Sequence, residues 1–150
     1  MRITIFGAAG EVGRRVVAEA LSRGHEVTAV VRDQSQFCKL PAGVNPCSGD
    51  AGSVKDVIRL SSGQDLVISA IRPPTGKESL LPSITQSILK GVAQTAVRVL
   101  VVGGAASLKI PGQGDTTVLT ASNFLPAAVI PIARACFAQH EVCNADQNAN

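Results

Sequence analysis

Met1-Arg-Ile-Thr-Ile-Phe6 runs directly into Gly7-Ala-Ala-Gly-Glu-Val-Gly13, an apolar, strand-like stretch followed by three glycines at G-x-x-G-x-x-G spacing. This junction decides the fold. Gly7 suits the tight turn off a strand, Gly10 lets phosphate oxygens approach a backbone without Cβ atoms, and Gly13 lets the next helix lie close on a sheet. A helix beginning there offers unpaired N–H groups and the positive end of its dipole to a pyrophosphate.

Glycines mark turns of every kind, so the flanks matter. Val12, Val16, Val17, Ala20 and Leu21 recur at helical spacing as far as Gly24, and Glu26-Val-Thr-Ala-Val-Val31 follows as a second strand. The result is a βαβ unit, the setting that distinguishes a dinucleotide-binding turn from a chance one.

Outward from this unit, apolar runs and helical stretches keep alternating. A polar segment, Asp33 to Leu40, leads through Pro41 and Gly43 to a weak third strand from Val44 to Cys47, where Pro46 indicates a sheet edge. Ser53 is placed to cap a helix over Val54 to Leu60. Asp65 to Ile71 reads as a buried strand, Pro73-Pro74 as a breaker, Glu78 to Ala93 as a helix and Val97 to Val102 as a fifth strand. Lys109 to Asn123 lacks periodicity and reads as a loop; a last helix covers Ala127 to about Val142, and the polar end Asn144 to Asn150 is expected to fray. Continuously apolar strands separated by helices predict a Rossmann-like α/β fold. Its doubly wound parallel sheet should have the order 3-2-1-4-5 and helices on both faces, with the ligand crevice where strands 1 and 4 diverge.

Composition narrows the function. A chain of 150 residues that is 45% hydrophobic can bury one sizeable core, so a single domain over residues 1–150 is expected. The net charge of +3 comes from scattered basic residues without a run, which argues against nucleic acid as partner. Cys38, Cys47, Cys136 and Cys143 form no C-x-x-C pair, and His25 and His140 alone cannot complete a metal site, so reduced thiols and a cytoplasmic location are expected. No apolar stretch has the length of a membrane span, and the amino terminus enters a strand directly, without the pattern of a signal peptide.

Taken in order, Gly7 to Gly13, Gly24-His-Glu-Val-Thr-Ala-Val-Val-Arg-Asp33, Gly49-Asp50, Asp65-Leu-Val-Ile-Ser-Ala70 and Arg98-Val-Leu-Val-Val-Gly-Gly104 resemble the NAD(P)H-binding atypical short-chain dehydrogenase/reductase group. That group includes the biliverdin reductase B-like flavin reductases and the NmrA-like nicotinamide sensors. The resemblance implies that Gly7, Gly10 and Gly13, with the backbone of Ala8, Ala9, Glu11 and Val12, cradle the pyrophosphate. Arg32 would face the adenosine ribose, where a guanidinium takes a 2′-phosphate bidentately, favouring NADP. Asp33 stands where an acid reading the ribose hydroxyls of NAD is expected, unless it caps the next turn, so NAD stays open. Asp50 would accept from the adenine amino group, or be an ordinary turn aspartate. Ser69, Ala70 and Ile71 would line the crevice beside the nicotinamide ribose.

Proton transfer is where the chain departs from the wider family. Common short-chain dehydrogenases use the phenol of Y-x-x-x-K as acid and base, and this chain contains no tyrosine. What remains is direct hydride transfer to a small-molecule acceptor that draws its own proton from solvent, such as a flavin or quinone, with the protein supplying position. Ser107 occupies the place of the group's strand-5 serine and is the catalytic candidate, to hydrogen-bond an acceptor; His140 reads as a surface residue of the last helix. Members of the group usually continue into a sixth strand and a substrate cap, so either the chain is a shortened form or a second subunit, identical or not, completes the pocket. The reading is an NADPH-dependent reductase of a flavin or quinone-like acceptor, with a non-catalytic NmrA-like redox sensor as the alternative.

Overall fold

The computed structural model describes residues 1–146 and divides the chain into two compact units, residues 1–72 with 87–102, and residues 73–86 with 103–146. The first unit contains a five-stranded parallel sheet of β1 (Arg2–Phe6), β2 (Glu26–Val31), β3 (Asn45–Ser48), β4 (Leu66–Ser69) and β5 (Arg98–Val101), in the order β3-β2-β1-β4-β5. This is the Rossmann-like α/β topology expected from the sequence. Every pairing is parallel, with β1 central: Ile5 lies opposite Ala29 on one side and Ile68 on the other.

Strand alternation sorts the helices. Ile3 and Ile5 of β1 join Val27 and Ala29 of β2 and Val17 and Ala20 of α1 (Glu11–Ser22) in one buried cluster. Each of the isoleucines and valines contributes about 1.5–3 kcal/mol on burial. Thr4 points the other way, is fully buried, and donates its hydroxyl to the Leu60 carbonyl at 2.7 Å, near the end of α2 (Val54–Ser61). That bond satisfies one of the carbonyls a helix leaves unpaired at its carboxyl end. α3 (Leu81–Thr95) buries Leu81, Thr85, Ile88 and Val92 at helical spacing. Its Gly91 comes so close to α2 that an added Cβ would lie 2.4 Å from Val57 Cγ1.

Boundaries differ from the sequence reading where tight turns intervene. Asp33 to Leu40 contains a 3-10 turn, Gln34–Lys39, and short 3-10 turns at Glu78–Leu80 and Ala127–Val129 precede α3 and α4 (Ile130–Ala145). α4 carries Asn144 and Ala145 in its last turn, beyond the expected end; residues 147–150 of the polar end lie outside the described residues. The segment read as a loop has an ordered hydrogen-bond pattern. Lys109 and Thr117 form an antiparallel bridge, Ile110 N–H donates to the Thr116 carbonyl, and Val118 and Leu119 N–H reach the carbonyls of Leu108 and Ala106. In the same unit Gln139 of α4, 2% exposed, donates to the Thr85 hydroxyl at 3.1 Å.

Candidate functional site

At the carboxyl ends of β1 and β4 the chain turns through Gly7, whose φ of 78° is a left-handed value that only glycine adopts without strain. A Cβ here would lie 2.8 Å from the Ala70 carbonyl oxygen at the end of β4, and a Cβ on Gly13 would fall 2.0 Å from the Gly7 oxygen. Gly7 and Gly13 are therefore demanded by the packing of strand, turn and helix. Gly10 is different. Its backbone is ordinary, φ −75° and ψ 170°, and an added Cβ would meet nothing but the Gly7 oxygen, at 3.2 Å.

The N–H groups of this turn divide in two. Ala8 N–H donates to the Val30 carbonyl at 3.3 Å and Gly10 N–H to the Gly7 carbonyl at 3.0 Å, so both shape the turn. Those of Ala9, Glu11, Val12 and Gly13 have no protein acceptor among the described residues, and α1 has no side-chain cap at Gly10. A twelve-residue helix thus presents open donors and its positive dipole end at a backbone concavity without Cβ atoms. The one acid of this first turn, Glu11, is 85% exposed and pairs with Arg14 at 3.6 Å. This donor set suits a phosphate group.

Beyond β2, Arg32 is exposed and makes no ion pair among the described residues. Asp33 caps the following turn: its carboxylate accepts from Ser35 N–H at 2.9 Å, and that backbone bond holds its pKa below the ordinary value. Of these two neighbouring side chains, Arg32 is the one without a partner among the described residues. Asp50 is exposed, its Oδ1 accepting from Gly52 N–H at 2.9 Å in an Asx turn. Ser69 and Ala70 are buried, 2% and 8% exposed, so they offer a ligand chiefly their backbone, and half-buried Ile71 offers its side chain.

Sequence reasoning missed the braces behind the Gly49-Asp50 turn. Asp56 Oδ2 accepts from Asp50 N–H at 2.9 Å, while Arg59 donates to the Ser48 carbonyl and to Asp56, each at 3.1 Å. The Asp50 N–H, followed by the Arg59 guanidinium, holds the Asp56 carboxyl below its usual range. A Ser-x-x-acid pattern, Ser53 to Asp56, was the available signal; the Ser53 hydroxyl accepts from Asp56 N–H at 3.4 Å, but the acid reaches Asp50 instead of the cap residue.

The catalytic candidate Ser107 belongs to the second unit, where it ends a 3-10 turn, Ala105–Ser107; it is half-buried and its hydroxyl has no partner among the described residues. His140 is half exposed on α4, with Asn144 Nδ2 3.2 Å from its Nδ1, in keeping with a surface role. None of the four cysteines is in a disulfide, and burial followed by Asp146 pushes the Cys143 thiol up, away from reactivity. No described helix is long and apolar enough to cross a membrane.

A protein-family profile described as NAD(P)H-binding matches residues 7–137. The uncharacterized protein YwnB of Bacillus subtilis is 34% identical over 140 residues, which cover 89% of this chain and 61% of that protein. Among solved structures, a protein from Streptococcus pneumoniae assigned as an NADH-flavin reductase superposes with a TM-score of 0.84 at 30% identity, over 100% of this chain and 69% of its own. One from Bacteroides thetaiotaomicron assigned as an epimerase gives 0.78 at 33% identity, over 93% of this chain and 62% of its own. The chain thus spans about three fifths of the length of its Bacillus relative.

Proposed function

The chain belongs to the NAD(P)H-binding family, and from that premise we propose that it binds NADPH at the amino-terminal end of α1 and takes part in reducing a flavin or quinone-like acceptor. One observation carries the reading: four backbone N–H groups left without protein partners among the described residues around Gly10, a glycine that the packing of those residues hardly requires. Arg32, with no ion pair among the described residues, supports the 2′-phosphorylated form, because a free guanidinium matches a phosphate with two parallel hydrogen bonds. Asp33, engaged with Ser35, leaves the position without a free acid for a ribose diol. The similarity to the Streptococcus protein assigned as an NADH-flavin reductase supports the acceptor class.

Bound reduced nicotinamide supplies a hydride. The protein's part is to hold and orient, since a chain without tyrosine has no phenol to serve as the acid of Y-x-x-x-K. Ser107 is the residue assigned to hydrogen-bond the acceptor. Calorimetric titration of the full chain should show NADPH binding at least about ten-fold tighter than NADH. Arg32→Ala should remove most of that difference; equal affinities before mutation would sink the Arg32 assignment. Steady-state oxidation of NADPH with FMN or a small quinone tests the chemistry, and binding without turnover across such acceptors would favour a sensor over a reductase.

A further inference from the structure

Asp56 and Arg59 act outward from α2, on the strand end and the turn beside it. They stand three residues apart on one face of a helix that Val57, Leu60 and Ser61, all buried, anchor in the core. From this fixed base Asp56 Oδ2 takes the Asp50 N–H at 2.9 Å, and Arg59 Nη2 donates to the Ser48 carbonyl at 3.1 Å. Between them Gly49 N–H donates to the Val31 carbonyl at 3.0 Å, and a Cβ on Gly49 would fall 2.5 Å from Leu60 Cδ1. β3 is an edge strand paired with β2 alone, so the bonds from α2 brace its end where a central strand would have a second neighbour.

The two carboxylates of this turn are left in different states. Asp56 is committed, one oxygen to the Asp50 N–H and the other to the Arg59 guanidinium at 3.1 Å. Asp50 has its N–H on Asp56, its carbonyl on Ser53 N–H at 3.0 Å and its Oδ1 on Gly52 N–H at 2.9 Å. Its Oδ2 has neither a donor nor a cation among the described residues, and the residue is exposed. An acceptor is therefore open to solvent on a turn whose backbone is tied on every side.

We infer that Asp56 and Arg59 are positioning residues that set the base preference of the nucleotide site: by bracing the Gly49–Asp50 turn they hold the open Asp50 carboxylate for the exocyclic amino group of adenine. The inference rests on the nicotinamide nucleotide reading proposed above, with Asp50 at the adenine. An amino group donates to the carboxylate, whereas the carbonyl that hypoxanthine carries at the same place turns a second acceptor against it. The brace lets that difference reach the affinity, because a loose turn would leave the carboxylate in water and serve both bases alike.

The test is titration calorimetry of the full chain with NADPH, with its hypoxanthine counterpart, and with reduced nicotinamide mononucleotide, which lacks the adenosine half. The parent should bind NADPH about ten-fold tighter than the hypoxanthine form. Asp56→Ala should bring the two within about two-fold of each other while the mononucleotide binds as to the parent. Asp56→Asn, whose amide oxygen still accepts from the Asp50 N–H, should keep part of the preference. Arg59→Gln, at a side chain 56% exposed and so without a demand of the core, should lose part of it. Equal affinity of the parent for the two dinucleotides would overturn the inference and leave the nucleotide site standing; a parent that binds neither would overturn that site and the inference with it. A full adenine preference in Asp56→Ala or Arg59→Gln, or mononucleotide affinity falling as far as NADPH affinity, would overturn it as well, since the brace would then serve folding alone.

Discussion

Replacing Gly10 with alanine separates a turn built for the fold from a turn built for a ligand. The methyl group meets the Gly7 carbonyl oxygen at 3.2 Å in an otherwise open direction, and the backbone angles suit any residue. At a helix N-cap, alanine in place of glycine costs about 0.5–1 kcal/mol. For a chain of this size that is a fall in melting temperature of roughly 1–4 °C. Gly13→Ala is the internal reference. Its Cβ would overlap the Gly7 oxygen at 2.0 Å, and overpacking of that kind costs about 1–3 kcal/mol or more, against about 1 kcal/mol gained from helix propensity. Affinity should report the opposite weighting, since the methyl added by Gly10→Ala stands where phosphate oxygens approach and should weaken nicotinamide binding by about ten-fold or more, or about 1.4 kcal/mol. Differential scanning calorimetry and titration calorimetry with NADPH on the same samples measure both quantities. The reasoning fails if Gly10→Ala binds as well as the parent, or if it unfolds as early as Gly13→Ala.

Two further outcomes follow from packing and charge. Gly91→Ala should lower the melting temperature although alanine favours helix, because its Cβ would sit 2.4 Å from Val57 Cγ1; adding Val57→Ala should recover part of the loss, and a rise in the single variant would show that α2 and α3 are looser than described. Asp56 titrates below the ordinary carboxylate range when folded, so the unfolded chain binds the proton first as pH falls. Its stabilisation is complete above the ordinary carboxylate pKa and vanishes below the lowered one. Urea midpoints of Asp56→Asn should therefore lie under those of the parent near about pH 6 and converge with them near about pH 2; a constant gap would contradict the assignment.

The centre of the sheet was legible because β1 and β4 are buried on both faces. Ile3, Ile5, Val27 and Val67 have no solvent side to obscure the pattern, and the glycine turn fixes where the first helix begins. Gly7 and Gly13 could be read for their packing roles, since strand–turn–helix geometry makes the same demand wherever it occurs. Whether Asp33 caps the following turn could not be read from residue types alone: it turns on whether Ser35 N–H reaches the carboxylate, a distance of 2.9 Å that appears once the backbone is closed. The bracing of Asp50 by Asp56 depends on the angle between strand and helix for the same reason. Residues 109–125 were opaque because their order comes from a single bridge and from Thr117–Thr120 hydroxyl bonds, which leave no periodic trace.

The bonds from Ala8 to Val30 and from Gly10 to Gly7 have a kinetic implication. Because the fold itself locks the hollow before any visitor arrives, docking there demands no rearrangement of the backbone and incurs little entropic penalty for ordering it. Association should then proceed at the pace of diffusional encounter, tuned by ionic strength, and differences among dinucleotides should appear as differences in residence time.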